Sequence, residues 1–298
     1  MAAQQLHRAG VAVTVVDKSN RPGGRMATRP FEGAIFDYGA QFFTVRHERF
    51  ASFQSDWQAK GLIRTWSNGF NGQQDGHPRY IGTSGINSIP AYLAQGLDLR
   101  CGVKVDRIIA SNGQWTLEID FDEVLHADAL IVTCPVPQTL TLLDIEILEA
   151  ERTALERIEY ERCLTLMAIL ESPINLPAPG VKQIADGEPI IWIADNHSKG
   201  ISTVSNAVTI HAGPKFSLEH WDKNAEDVAI KLLDGLNATA WKLHRWKYSK
   251  PTVTHPDPCF VVTAPVPLIL AGDAFGQARV EGAALSGLAA AERLQALL

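Results

Sequence analysis

The chain has 298 residues, enough for one large or two interleaved domains with a substantial core. Lys and Arg number 27 against 33 Asp and Glu, and the net charge of −6 argues against general nucleic-acid or anionic-membrane binding. No apolar run reaches membrane-spanning length and no signal-peptide hydrophobic region opens the chain, so a cytoplasmic location is expected.

Residues 2–10 read as the end of a helix closed by Gly10, because glycine takes the left-handed position after a helix without steric cost. Val11-Ala12-Val13-Thr14-Val15-Val16-Asp17 follows as a β-branched strand of a parallel sheet that ends in an acid. In a dinucleotide fold the acid ending the second strand hydrogen-bonds the adenosine ribose. Next comes Arg21-Pro22-Gly23-Gly24-Arg25, where paired glycines allow close backbone approach to a pyrophosphate and Arg25 adds charge. The strand and G-x-G-x-x-G turn that would come before the first helix are not in this sequence, and no displaced copy occurs. That turn supplies N–H groups to the pyrophosphate, so weak FAD binding is the expectation for this length of chain.

Residues 34–43 form an aromatic-rich extended segment, and a helix is expected over 48–60. Residues 67–85, rich in Gly, Asn, Gln and Asp, read as a loop or short-strand zone, and 88–95 as a helix. The stretch 99–132 reads as all-β, with Trp115, Leu117 and Ile119 alternating with polar neighbours. Its last strand, 129–132, is halted by Pro135 and Pro137. A charged amphipathic helix is expected over 148–159, strands over 164–170 and 190–194, and a Pro-rich loop over 173–179. Apolar Ala225, Val228, Ala229, Leu232 and Leu236 mark a helix over 222–236. Trp241, Leu243, Arg245, Trp246 and Tyr248 mark an aromatic strand stopped by Pro251.

The end of the chain is the most telling part. Leu268-Ile269-Leu270-Ala271 runs into Gly272-Asp273-Ala274-Phe275, and a small-residue helix opens at Glu281-Gly282-Ala283-Ala284 and continues to Leu294. A strand delivers an acid to a glycine turn, and a helix N-terminus offers unpaired N–H groups to a ring or phosphate. The ligand this suits is a flavin dinucleotide, FAD. Singly, Asp17 also reads as an ordinary strand-end acid, Gly23-Gly24 as a surface turn, and Trp246 and Tyr248 as core. His197, His211, His220, His244 and His255 lack compact ligand spacing, so no metal site is expected. The four cysteines show no C-x-x-C spacing and none lies in the terminal motif, so they read as reduced thiols and the FAD as non-covalent. The expected fold is α/β: a discontinuous Rossmann-like FAD-binding domain lacking its first strand, from 1–45, 96–145 and 260–298. A mixed-sheet α+β substrate domain, from 46–95 and 146–259, is interleaved with it.

Several motifs occur in order along nearly the whole chain. They are Asp17 with Arg21-Pro22-Gly23-Gly24-Arg25, Phe36-Asp37-Tyr38-Gly39-Ala40-Gln41-Phe42-Phe43-Thr44, and Gly82-Thr83-Ser84-Gly85-Ile86-Asn87-Ser88-Ile89-Pro90. His244-Arg245-Trp246-Lys247-Tyr248 and Gly272-Asp273-Ala274-Phe275 through Arg279 to Gly287 complete the set. Together they resemble the amine-oxidase superfamily of flavoproteins, and they are most similar to its bacterial renalase-like branch. The resemblance implies that Asp17 holds the adenosine ribose, that Gly23, Gly24 and Arg25 meet the pyrophosphate, and that Val105 offers backbone groups to adenine. It places Gly39, Ala40 and Gln41 beside the isoalloxazine, Gly272 and Asp273 at ribityl or phosphate oxygens, and Val280, Glu281, Gly282 and Ala283 at the pyrimidine edge. Gln41, Trp246 and Tyr248 become candidates for the substrate pocket; no catalytic acid or base is named. The implied reaction is hydride transfer to flavin N5 from a small reduced molecule, an isomeric dihydro-NAD(P), with oxygen as acceptor and hydrogen peroxide as product. Two other readings remain open: an amine oxidase or desaturase, and a truncated, non-catalytic paralogue.

Overall fold

A computed structural model describes residues 1–71, 73–119, 123–184 and 187–298. Gly72, in the expected 67–85 loop or short-strand zone, and residues 120–122, in the expected β region, lie outside the described residues. The chain separates into two compact units, each built from non-contiguous segments. Among the described residues no helix is long and apolar enough to cross a membrane.

The first unit comprises Met1–Pro22, Ala91–Tyr160 and Lys250–Leu298. Its central strand, Leu268–Leu270, pairs in parallel with Leu130–Val132 and antiparallel with Phe260–Val262. All three of its side chains are buried, which is why this strand reads as an unbroken apolar run. A second parallel pair joins Thr14–Asp17 to Asp98–Cys101. The strand expected from residue 11 begins only at Thr14, because the helix end takes the nearby amides: Gly10 N–H donates to His7 O and Val11 N–H to Leu6 O.

That first helix, Ala2–Arg8, packs on the terminal helix Val280–Gln295. Leu6 shares a core with Ile269, Ala271, Ala290, Ala291 and Leu294. The small residues of the terminal helix permit this approach: a Cβ on Gly287 would meet the Ala2 backbone nitrogen at 3.4 Å and Met1 Cβ at 3.5 Å. The remainder of the expected β region is an antiparallel meander of Val105–Ser111, Gln114–Ile119 and Val124–Ala127. Trp115, fully buried, packs with Leu268 and Leu270 and donates its indole N–H to Pro267 O at 3.0 Å.

The second unit comprises Gly23–Pro90 and Glu161–Ser249. It is built on a five-stranded sheet in the order Val181–Gln183, Ile190–Asp195, Ala207–Ala212, Tyr160–Leu170 and Ala238–Pro251. The helix Ala225–Leu233 buries Val228, Ala229 and Leu232 against Leu164, Leu166, Val208 and Ile210. It is shorter than the expected 222–236 because the Asn224 side chain accepts from Glu226 N–H at its start and Asp234 turns left-handed at its end. Hairpins Thr28–Phe31/Ala34–Asp37 and Ile63–Ser67/Arg79–Gly82 complete the unit with the helix Glu48–Ala59. The short strand Arg79–Gly82 lies in the expected 67–85 loop or short-strand zone, and the aromatic strand expected over 241–248 runs longer at both ends, Ala238–Pro251.

The unit boundaries differ from those expected. Residues 23–45 fall in the second unit because Asp37 bonds Lys199 and Ile86 there, and Arg25 bonds the carbonyls of Tyr248 and Ser249. Residues 146–160 fall in the first, where Leu155 and Ile158 share the core of Val262 and Leu268. Residues 250–259 join them through His255, which donates to Ala274 O and accepts from Gly276 N–H on its backbone.

Candidate functional site

Within the first unit, Asp17 ends its strand opposite Cys101. Its Oδ1 accepts from Ser19 N–H at 2.8 Å and its carbonyl from Val103 N–H at 3.1 Å. Gly102, at φ +74°, turns the chain so that its own N–H reaches Ser19 O. Asp17 and the segment leading into Val105 are thus brought together. Burial, and then the charge of Asp17, push the Cys101 thiol above its ordinary pKa. Burial does the same to Cys134 and Cys259, and to Cys163, which rises to about 11.

The Asp273 turn is held from behind. Gly272 has φ +139°, a conformation that side chains disfavour, and its N–H donates to the buried Ser286 Oγ at 2.9 Å. Ser286 thereby ties the turn to the terminal helix, while Asp273 stays half-buried. The helix itself starts after extended Arg279, and no side chain caps it. Glu281 is buried in its first turn, and a Cβ on Gly282 would overlap Gln277 O. A strand-end carboxylate, a glycine turn and an uncapped helix start suit the hydroxyls and anionic groups of a dinucleotide.

Within the second unit, Gly23 and Gly24 adopt φ +136° and +53°, and no atom lies within 4 Å of where a Gly24 Cβ would sit. The Arg25 guanidinium donates to Tyr248 O at 3.4 Å and Ser249 O at 3.3 Å. Its carbonyl accepts from Ala40 N–H at 2.9 Å, with no room for a Cβ on Gly39. Trp246 stacks on Tyr38 with ring centres 5.2 Å apart and donates its indole N–H to Tyr38 O. His244 packs edge-on against both rings, and burial followed by the charges of Arg29 and Lys242 lowers its pKa to about 4.

Gln41 is buried. Its Nε2 donates to Asp37 O at 2.7 Å and Gly39 O at 3.2 Å. Beneath it Lys199 and Asp37 form an ion pair at 2.8 Å, both side chains fully buried. Asp37 also accepts from Thr28 Oγ1 and Ile86 N–H. Sequence reasoning did not single out Lys199, Tyr38, His244 or Ser286 as site residues. A buried lysine has no local signature, and Ser286 is hidden among small helix residues.

The chain matches the family described as flavin containing amine oxidoreductase over residues 1–56 and 63–295. It belongs to that family. Renalase from Mus musculus is 24% identical over 299 residues, covering 91% of this chain and 87% of renalase. A solved structure described as "Putative protoporphyrinogen oxidase from Exiguobacterium sp. 255-15" is similar with a TM-score of 0.75 at 13% identity, covering 100% of this chain and 96% of that one. Putrescine oxidase gives a TM-score of 0.71 at 13% identity with the same coverage. These structures establish the fold, and family membership makes the protein a flavin-dependent oxidoreductase.

Proposed function

We propose that the protein binds FAD non-covalently and oxidises a small reduced molecule, an isomeric dihydronicotinamide dinucleotide, by hydride transfer to flavin N5. Bound FAD supplies the hydride acceptor and passes the electron pair on, so that reduced dinucleotide, one proton and O₂ become oxidised dinucleotide and hydrogen peroxide. Asp17 accepts hydrogen bonds from the adenosine ribose, and Val105 offers backbone groups to adenine. Gly23, Gly24 and Arg25 serve the pyrophosphate. Gly272 and Asp273 serve the ribityl or phosphate oxygens. Val280, Glu281, Gly282 and Ala283 present the positive end of the helix dipole, which favours a reduced, anionic flavin. Gly39, Ala40 and Gln41 carry the backbone past the flavin ring, and Trp246 and Tyr248, with Tyr38 and His244, supply an aromatic surface for a flat substrate ring. Hydride transfer needs alignment rather than an acid–base pair.

The observation that carries this reading is in the first unit. The Asp17 strand end and the Gly272-Asp273 turn lie there together with an uncapped 16-residue helix, in a chain of a flavin family. Amine oxidation is the second reading, favoured by the likeness to putrescine oxidase. The test is anaerobic mixing of the yellow, FAD-loaded protein with each substrate class. Dihydronicotinamide isomers are expected to bleach the flavin and, in air, to give one peroxide per substrate oxidised. Bleaching by amines alone sinks the first reading. Acid precipitation is expected to release all the flavin as free FAD; flavin retained in the pellet contradicts non-covalent binding.

A further inference from the structure

The Lys199–Asp37 pair sits at the centre of a buried polar cluster in the second unit. Lys199 Nζ reaches Asp37 Oδ2 at 2.8 Å and Gln41 Oε1 at 3.5 Å, and it lies 5.1 Å from the centre of the Trp66 ring. Arg64 donates to the Lys199 carbonyl. Gln41 Nε2 lies 3.5 Å from His211 Nε2, and the His211 ring also hydrogen-bonds the Tyr38 backbone. Thr209 Oγ1 donates to Asp37 O, and Asn196 Oδ1 accepts from Asp37 N–H. An ammonium only donates, so the Gln41 oxygen faces Lys199; its two N–H groups then serve Asp37 O and Gly39 O, and one of them is shared with His211 Nε2 at 3.5 Å. His211 Nε2 then accepts, and the ring carries its proton on Nδ1.

We propose that Lys199 is a positioning residue that orients the Gln41 amide and, through it, the His211 ring, fixing the Gly39–Ala40–Gln41 segment for hydride transfer. The functional half of this inference rests on the flavin reading above; the hydrogen-bond chain does not. His211 lies on the strand Ala207–Ala212, between Thr165 and Trp192 of the flanking strands. Its neighbours are Gln41 and Tyr38 on one segment, Lys199 on the turn after Ile190–Asp195, and Thr165 and Trp192 on the flanking strands. Lys199 is the charged group that acts on it directly; Asp37 and Arg64 act through Lys199, and the nearby Cys163 thiol is kept protonated. Burial, then the Lys199 charge, lower the His211 pKa to about 4. A neutral ring suits a reaction that turns a neutral dihydropyridine into a cation.

The test has two arms on the FAD-loaded protein. In the first, nitrogen-15 NMR follows the His211 ring. The Nδ1–H tautomer with a midpoint near 4 is expected in the wild type; an Nε2–H tautomer overturns the proposal. Lys199→Met removes the positive neighbour and is expected to raise the midpoint by about one unit. Should that chain not fold, Gln41→Leu cuts the same link without uncovering a charge, and it too is expected to raise the midpoint, because a donor to the neutral ring is lost. Lys199→Arg is expected to stay within about half a unit of the wild type. An unchanged midpoint in a folded Lys199→Met or Gln41→Leu protein overturns the proposal.

The second arm measures flavin bleaching by the dihydronicotinamide. Gln41→Leu is expected to lower the limiting rate about tenfold with little change in apparent substrate affinity, and its acid limb is expected to move with the His211 midpoint. An unaltered rate and pH profile overturns the positioning role. If the NMR shifts occur but the wild type is not bleached, the substrate reading fails and the hydrogen-bond chain stands. If the wild type turns over and the midpoint stays put, the reverse holds.

Discussion

Gly272 and Ser286 show how single atoms hold a turn in place. The half-buried Gly272 N–H has the fully buried Ser286 Oγ as its acceptor. Ser286→Ala leaves that donor unpaired, which costs about 1–3 kcal/mol. Urea unfolding is expected to show the loss, together with weaker flavin retention; equal stability of the two proteins refutes the account. Lys199→Met is expected to cost more, about 3–5 kcal/mol, because it strands a buried carboxylate. The histidines make stability depend on pH. His211 and His244 titrate near 4 in the fold, against 6.5 as the ordinary value. As pH falls between those values the unfolded chain gains protons that the native chain refuses, so stability declines as pH falls through that window. Urea midpoints at several pH values are expected to drop on acidification, and to drop less in a His211→Asn/His244→Asn protein.

At the level of elements, patterning revealed what packing repeats and missed what a single partner decides. The strand Leu268–Leu270 and the terminal helix were legible because a doubly covered strand must be continuously apolar and a close helix contact must use small residues. The second consequence can be tested: Gly287→Leu forces the first helix away from the terminal helix and is expected to cost about 1–3 kcal/mol by overpacking. A thermal midpoint equal to the wild type's contradicts that contact. The strand Thr28–Phe31 gave no such signal, since it carries Arg29 and Pro30 and is set by pairing with Ala34–Asp37. Lys199 was equally silent, because what fixes it is Asp37, which lies 162 residues away. The candidate cofactor residues were readable as motifs; the polar cluster beneath Gln41 existed only in three dimensions.

Across the whole molecule, the α/β class and the interleaving of segments could be read from where motifs fell, while the boundaries could not. Residues 23–45 carry cofactor-type motifs yet are bonded into the second unit, because hydrogen bonds rather than motif content decide where a segment belongs. If FAD binds the folded chain alone, mass action stabilises that chain by about 2.7 kcal/mol at a hundredfold excess over Kd. Thermal scans with added FAD are expected to show a midpoint rising with its concentration; a midpoint indifferent to FAD contradicts binding to the native state. All four thiols are held above their ordinary pKa, so none is primed as a nucleophile toward the flavin methyl carbons. The prosthetic group would then be replaceable. Stripped protein could be refilled with a deazaflavin, which takes up hydride but reacts poorly with oxygen, and the two halves of turnover could be watched apart.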